Sequence, residues 1–134
     1  MPWLPRRWPK RIALLLLALF FVYAGVSHFT DPEQFVAIVP PWLPAPLALV
    51  YGSGVFEILG GLGALLPRTR AVAGWGLVAL LVAVFPANVQ MAVDAERWLA
   101  AGIPAWALYV RLPLQLVLIA WAWWATRPDR AEAP

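Results

Sequence analysis

Among the polar side chains that interrupt the long apolar stretches of this 134-residue sequence, five stand out: His28, Glu57, Asn88, Arg111 and Gln115. Whatever chemistry the chain performs must use them. Glu57 follows Pro46 by 11 residues within one apolar run, and Arg111 stands about seven residues into another. An ionised group at that depth in a membrane costs at least ~2.5–3.5 kcal/mol, so such residues face the protein interior and find partners. Both runs are read as crossing in the same direction, which brings the two residues to depths differing by about 6 Å at helical rise. The obvious pairing is Glu57 with Arg111.

His28 closes the first apolar run, Asn88 and Gln90 lie near the end of the third, and Gln115 follows Arg111 by one helical turn. Together they outline an outward-facing polar pocket, floored by Glu57 and Gln115 and roofed by His28 and the loop bearing Asp31. Three uses of this pocket stay open. It is a structural clasp that fixes helix order, a site for a small polar or amphipathic ligand, or a path for protons or ions. Within it, His28 is either a boundary residue bonded to the loop or a group that titrates near neutrality.

Other chemistries lack their residues. With one histidine and no cysteine, and with Asp31 and Glu33 crowded beside Pro32, no convincing metal site forms. Thiol redox chemistry has no starting group. No nucleophile–base pair or Gly-rich phosphate loop is present, which weighs against an enzyme and leaves no catalytic residue to name. No cofactor is evident, although a quinone would suit the pocket.

The elements that must position these residues follow from composition. The chain is 63% hydrophobic and only 13% charged, against about 45–50% and about 25% in soluble domains. So small a chain cannot hide that excess in its interior, because small domains bury only about two-thirds of their unfolded surface. Four apolar stretches, roughly 12–29, 46–66, 71–91 and 104–125, each approach the ~20 residues that cross a bilayer as a helix. The expected fold is all-α: a single membrane domain over 1–134, forming a four-helix integral membrane bundle. The basic start and first apolar run resemble a signal peptide, but Tyr23-Ala-Gly-Val-Ser-His is a poor cleavage site, so the run is read as a retained anchor.

Charge sets the orientation. Arg6, Arg7, Lys10, Arg11, Arg68, Arg70, Arg127 and Arg130 fall on one side of such a bundle, and Arg97 alone on the other. By the positive-inside rule both termini are cytoplasmic. Basic residues spaced out between spans also argue against nucleic acid as a partner. The outer loops are then 30–45 and 92–103. In the first, Thr30 or Asp31 can cap a short interfacial helix that opens at Pro32, carries Phe35, Ile38 and Val39 on one face, and stops at Pro40-Pro41. A segment merely packed on the loop surface is the alternative. Most of the nine tryptophans sit near span ends, where indoles anchor at the membrane boundary.

Small residues mark helix contacts, above all Gly52, Gly54, Gly60, Gly61 and Gly63 in the second span. Ser53, Glu57 and Gly61 share one face at steps of four, which should look into the bundle. Pro86 and Pro113 should distort the third and fourth spans close to Asn88 and Arg111.

The order Gly25-Val-Ser-His-Phe, Pro32, Phe35, Tyr51-Gly-Ser-Gly-Val-Phe-Glu-Ile-Leu-Gly-Gly, Pro67-Arg-Thr-Arg-Ala, Phe85-Pro-Ala-Asn and Arg111-Leu-Pro-Leu-Gln resembles the DoxX family of small bacterial membrane proteins. The likeness runs from the first span to Gln115. It implies a four-helix bundle in the bacterial inner (plasma) membrane and, for function, an accessory role near redox-enzyme or oxidative-stress complexes. It carries over no catalytic residue. The leading expectation is a non-catalytic accessory or scaffold subunit whose partners are the lipid bilayer and a membrane or periplasmic protein, or further copies of itself. A quinone-binding redox subunit comes second and a small proton-coupled transporter third.

Overall fold

A computed structural model describes residues 3–128, so Arg130, counted above among the basic residues, lies outside the described residues. Six helices follow in order: α1 (Trp8–Thr30), α2 (Pro32–Val36), α3 (Pro46–Leu65), α4 (Arg70–Val93), α5 (Ala95–Ala100) and α6 (Ala105–Thr126). The four long ones have 23, 20, 24 and 22 residues and are apolar enough to cross a membrane. At ~1.5 Å per residue each reaches about 30 Å or more, the thickness of a hydrocarbon core.

The long helices run alternately up and down and close a ring. α1 packs chiefly on α3 and α4 chiefly on α6, while α3–α4 and a lighter α1–α6 contact join the two pairs. One end carries the start of α1, the end of α6 and the 66–69 turn (the terminal end). The other carries α2 and α5 (the loop end).

Side-chain distribution divides the bundle lengthwise. Leu14, Leu17 and Phe21 of α1, Ala64 of α3, Leu77 and Leu81 of α4, and Ala122 and Ala125 of α6 form a buried core toward the terminal end. Of the buried polar side chains, Lys10 and Thr126 lie at the terminal end, Gln115 at mid-bundle and His28 toward the loop end. The outside is strongly apolar, with Leu19, Tyr23, Phe56, Val72, Val82 and Trp106 all more than half exposed. A soluble monomer rarely shows so continuous an apolar surface, and lipid is the solvent that suits it.

The terminal end is tied by its arginines. The last carbonyls of a helix lack intrahelical donors, and Arg70 donates to two of them on α3, Ala64 O at 2.8 Å and Leu65 O at 3.1 Å. The same guanidinium donates to Trp3 O. Arg127 donates to Ala71 O at 3.0 Å and lies over the Trp75 ring. The Trp121 indole donates to Ala13 O at 3.0 Å, closing α6 on α1.

Three boundaries differ from the sequence expectation. α1 starts at Trp8 rather than 12, because Pro9 opens the helix and Lys10 and Arg11 continue it. α2 begins at Pro32 with Asp31 at its cap position but without the expected side-chain capping bond, and it ends at Val36, four residues before Pro40. The chain then makes two tight turns, Ile38 N–H to Phe35 O and Val39 N–H to Val36 O, each 3.2 Å. The connection 92–103, expected as a plain loop, contains α5. Pro86 and Pro113 lie inside helices that continue past them, as neighbouring groups in a bundle permit.

Candidate functional site

The site begins with a close crossing of α1 and α3. A Cβ on Gly25 would lie 2.6 Å from Gly54 O, and one on Gly54 would lie 2.8 Å from His28 Cβ. Lacking side chains, the two glycines let the backbones approach closely. That approach puts the His28 ring against α3. Its Nδ1 lies 2.9 Å from Val50 O and 2.9 Å from Ser53 Oγ. The Ser53 hydroxyl donates to the same Val50 carbonyl at 2.9 Å. One turn further along α3, Glu57 Oε2 lies 3.2 Å from His28 Nε2, the two side chains being only 14% and 9% exposed. The Phe35 ring of α2 covers the imidazole at 4.0 Å between centroids, and Phe29 stacks flat on Tyr51 beside it.

A second polar couple joins α4 and α6. Asn88 Nδ2 donates to Gln115 Oε1 at 2.8 Å, and Gln115 Nε2 donates to Leu81 O. The Leu81 carbonyl neighbours that of Val82, the acceptor Pro86 leaves without its helical N–H. Gln115 is 3% exposed, so both ends of its amide are satisfied inside the protein. Nearer the loop end Gln90 donates to Asp94 at 2.9 Å. A small cavity of about 70 Å³ opens there between residues 37–41 and the α4–α5 junction, lined by Ile38, Val39, Met91, Asp94, Arg97 and Trp98.

The pairing expected for Glu57 is therefore different in the structure. The side chain it meets is that of His28, not Arg111. The reason is the glycine crossing, which brings the end of α1 against α3 and so His28 within reach of Glu57. Arg111 lies on α6 between buried Leu108 and buried Gln115, and its Nε is buried with no hydrogen-bond partner. Among the described residues no hydrogen bond or ion pair links the His28–Glu57 set with the Asn88–Gln115 set. The single expected pocket appears as two clasps, one within each major helix pair, with Arg111 bonded to neither.

Three participants lie beyond the five polar residues singled out by sequence. Ser53 stands on the expected face, and its step of four from Glu57 is the signal that ties it to the same partner. Phe35 carries a weaker signal, as one residue of the apolar face of α2. The Val50 carbonyl has no sequence signal at all, since an acceptor becomes accessible only through the glycine crossing. The described residues contain no group of three or more His, Cys, Asp or Glu side chains placed to hold a metal.

Chemically, the α1–α3 couple can hold a proton between an imidazole and a carboxyl group, and the α4–α6 couple can hold two helices in register. No curated protein and no solved structure matches the chain. One family model does, over residues 17–126, a span that includes all five polar residues and most or all of each long helix. The chain belongs to the family defined by this domain of unknown function (DUF8561).

Proposed function

We propose that the chain is a DoxX-like, non-catalytic accessory or scaffold subunit of a membrane redox or stress-related complex. It spans the bacterial inner membrane four times with both termini cytoplasmic. One observation carries the reading: apart from Glu57 Oε2 and Arg111 Nε, the polar groups inside the helices are engaged with one another. His28 bonds Val50 and faces Glu57, and Gln115 bonds Asn88 and Leu81. Polar groups satisfied across helices hold a bundle together. The cytoplasmic assignment rests on the basic residues gathered at the terminal end. The accessory role near redox enzymes rests on the family resemblance, an analogy at the level of fold.

A ligand-binding reading has its own support in Arg111. A guanidinium nitrogen buried without a partner would gain from a carbonyl or acidic group of a quinone-like ligand. The test is non-denaturing mass spectrometry of the protein in native lipid discs, with Arg111→Gln alongside. A co-isolated polypeptide retained by the variant supports the accessory subunit. A small molecule lost in the variant supports the ligand site, and its mass names the ligand class.

A further inference from the structure

We propose that His28 and Glu57 form a one-proton binding site at the α1–α3 crossing, exchanging with water at the loop end of the bundle past Phe35. It stands independently of the accessory role above.

Donor and acceptor roles decide where the protons lie. A backbone carbonyl oxygen only accepts, so the 2.9 Å contact with Val50 O requires the proton of the ring on Nδ1. Ser53 fits that assignment: its hydroxyl donates to Val50 O and leaves its own lone pair toward Nδ1–H. A neutral imidazole protonated at Nδ1 has a bare Nε2. That nitrogen lies 3.2 Å from Glu57 Oε2. Two bare acceptors at this distance, in a site nearly closed to water, would repel each other. A proton on one of them relieves that repulsion, on Nε2 as imidazolium beside carboxylate, or on Oε2 as carboxylic acid beside neutral imidazole.

Either way the pair is neutral with that proton and carries one negative charge without it. Glu57 Oε2 is buried with no hydrogen-bond partner, its 3.2 Å approach to Nε2 included, so no other group competes for a proton there. The surroundings supply no substitute charge. On the α1–α2 segment Asp31 is exposed and Glu33 is also exposed, and on α3 the nearby titratable Tyr51 stacks on Phe29. α4 packs on α3 and carries no charged residue between Arg70 at the far end and Asp94. On α6, which touches α1, Tyr109 is exposed and Arg111 makes no ion pair with Glu57. The proton has a short way out, because His28 lies two residues before the end of α1, where the Phe35 ring packs on the imidazole.

The chain has a single histidine, so ¹⁵N-histidine labelling reports this site alone. The full-length protein in lipid discs, studied by solid-state NMR with the glutamates ¹³C-labelled, is expected to show a protonated Nδ1 at neutral pH. Raising the pH should then move the Nε2 and Glu57 carboxyl resonances together, in one reversible step. In Glu57→Gln the Nε2 resonance should shift and the joint step should vanish. Phe35→Ala should speed deuterium exchange at the shared proton at least several-fold. A neutral ring protonated at Nε2 and bare at Nδ1 would overturn the proposal, and this is read from the unmodified protein whether or not the variants fold. An Nε2 resonance indifferent to Glu57→Gln in a folded variant would overturn it equally.

Discussion

Gly25 and Gly54 stand so close that a methyl group on Gly25 would lie 2.6 Å from the Gly54 carbonyl oxygen. The clash would be with backbone, which cannot swing aside, and with Ile58 Cγ1 at the same distance. Gly25→Ala should therefore cost about 1–3 kcal/mol, the usual penalty for overpacking a close contact. The crossing also sets the reach of His28, so the variant should weaken the His28–Glu57 contact. At Gly52 and Gly76 an added methyl carbon would meet nothing within 4 Å, and alanine at either should leave stability unchanged or raise it by up to about 1 kcal/mol, since glycine inside a helix costs about that much against alanine. Reversible unfolding in mixed micelles separates the two classes.

Gln115 and Asn88 form the clasp between α4 and α6. Gln115→Leu keeps the volume but strands the Asn88 amide and frees the Leu81 carbonyl. Interhelical hydrogen bonds in membranes average about 0.6 kcal/mol and reach about 1.7, and Gln115 takes part in one with Asn88 and one with Leu81. The single variant is expected to cost about 1–2 kcal/mol on that basis. Combined with Asn88→Leu it should cost less than the sum of the two single changes, because neither amide is then left alone. A double-mutant cycle on unfolding free energies measures this coupling directly.

Much of the bundle is written in its composition. Four runs near 20 residues, bounded by charge and proline, can satisfy their backbones in lipid only as helices, and their limits agree with the structure to within a few residues. α5 is hidden from such a reading because Ala95–Ala100 is too short to establish a period. The Glu57 pairing is illegible for another reason. Depth along a helix follows from counting residues, but the partner at that depth depends on which helices touch and how closely. Glu57 and Arg111 are of similar depth, yet α3 packs on α1 through Gly25 and Gly54, so the polar group that reaches Glu57 is His28. The glycines themselves are visible in the sequence, and what they permit is not.

Ala45 adopts φ 49°, ψ 60° between Pro44 and Pro46, the left-handed conformation that L side chains avoid. Its carbonyl still starts α3 by accepting from Leu49 N–H at 3.1 Å. The strain at such a residue is about 1–2 kcal/mol, and glycine removes most of it at an entropic cost of about 0.5–1 kcal/mol. Ala45→Gly is expected to raise the thermal midpoint slightly, whereas Ala45→Val should lower it clearly. Melting curves of the three proteins in one detergent test the order.

Arg111 and Glu57 provide the sharpest separation between the pairing read from sequence and the one in the structure. Were they a pair, removing either alone would leave a stranded charge, and removing both would restore much of the loss. Uncoupled residues behave otherwise, their effects adding to within about 0.3–0.5 kcal/mol. Glu57→Gln disturbs His28, which loses the group facing its Nε2. Arg111→Gln removes a guanidinium whose Nε has no partner, so it should leave stability unchanged or raise it. The double variant is expected to equal the sum of the singles, while Glu57→Gln combined with His28→Gln should deviate from its sum by more than that margin. The two cycles, measured under identical unfolding conditions, place the partner of Glu57 on α1 or on α6.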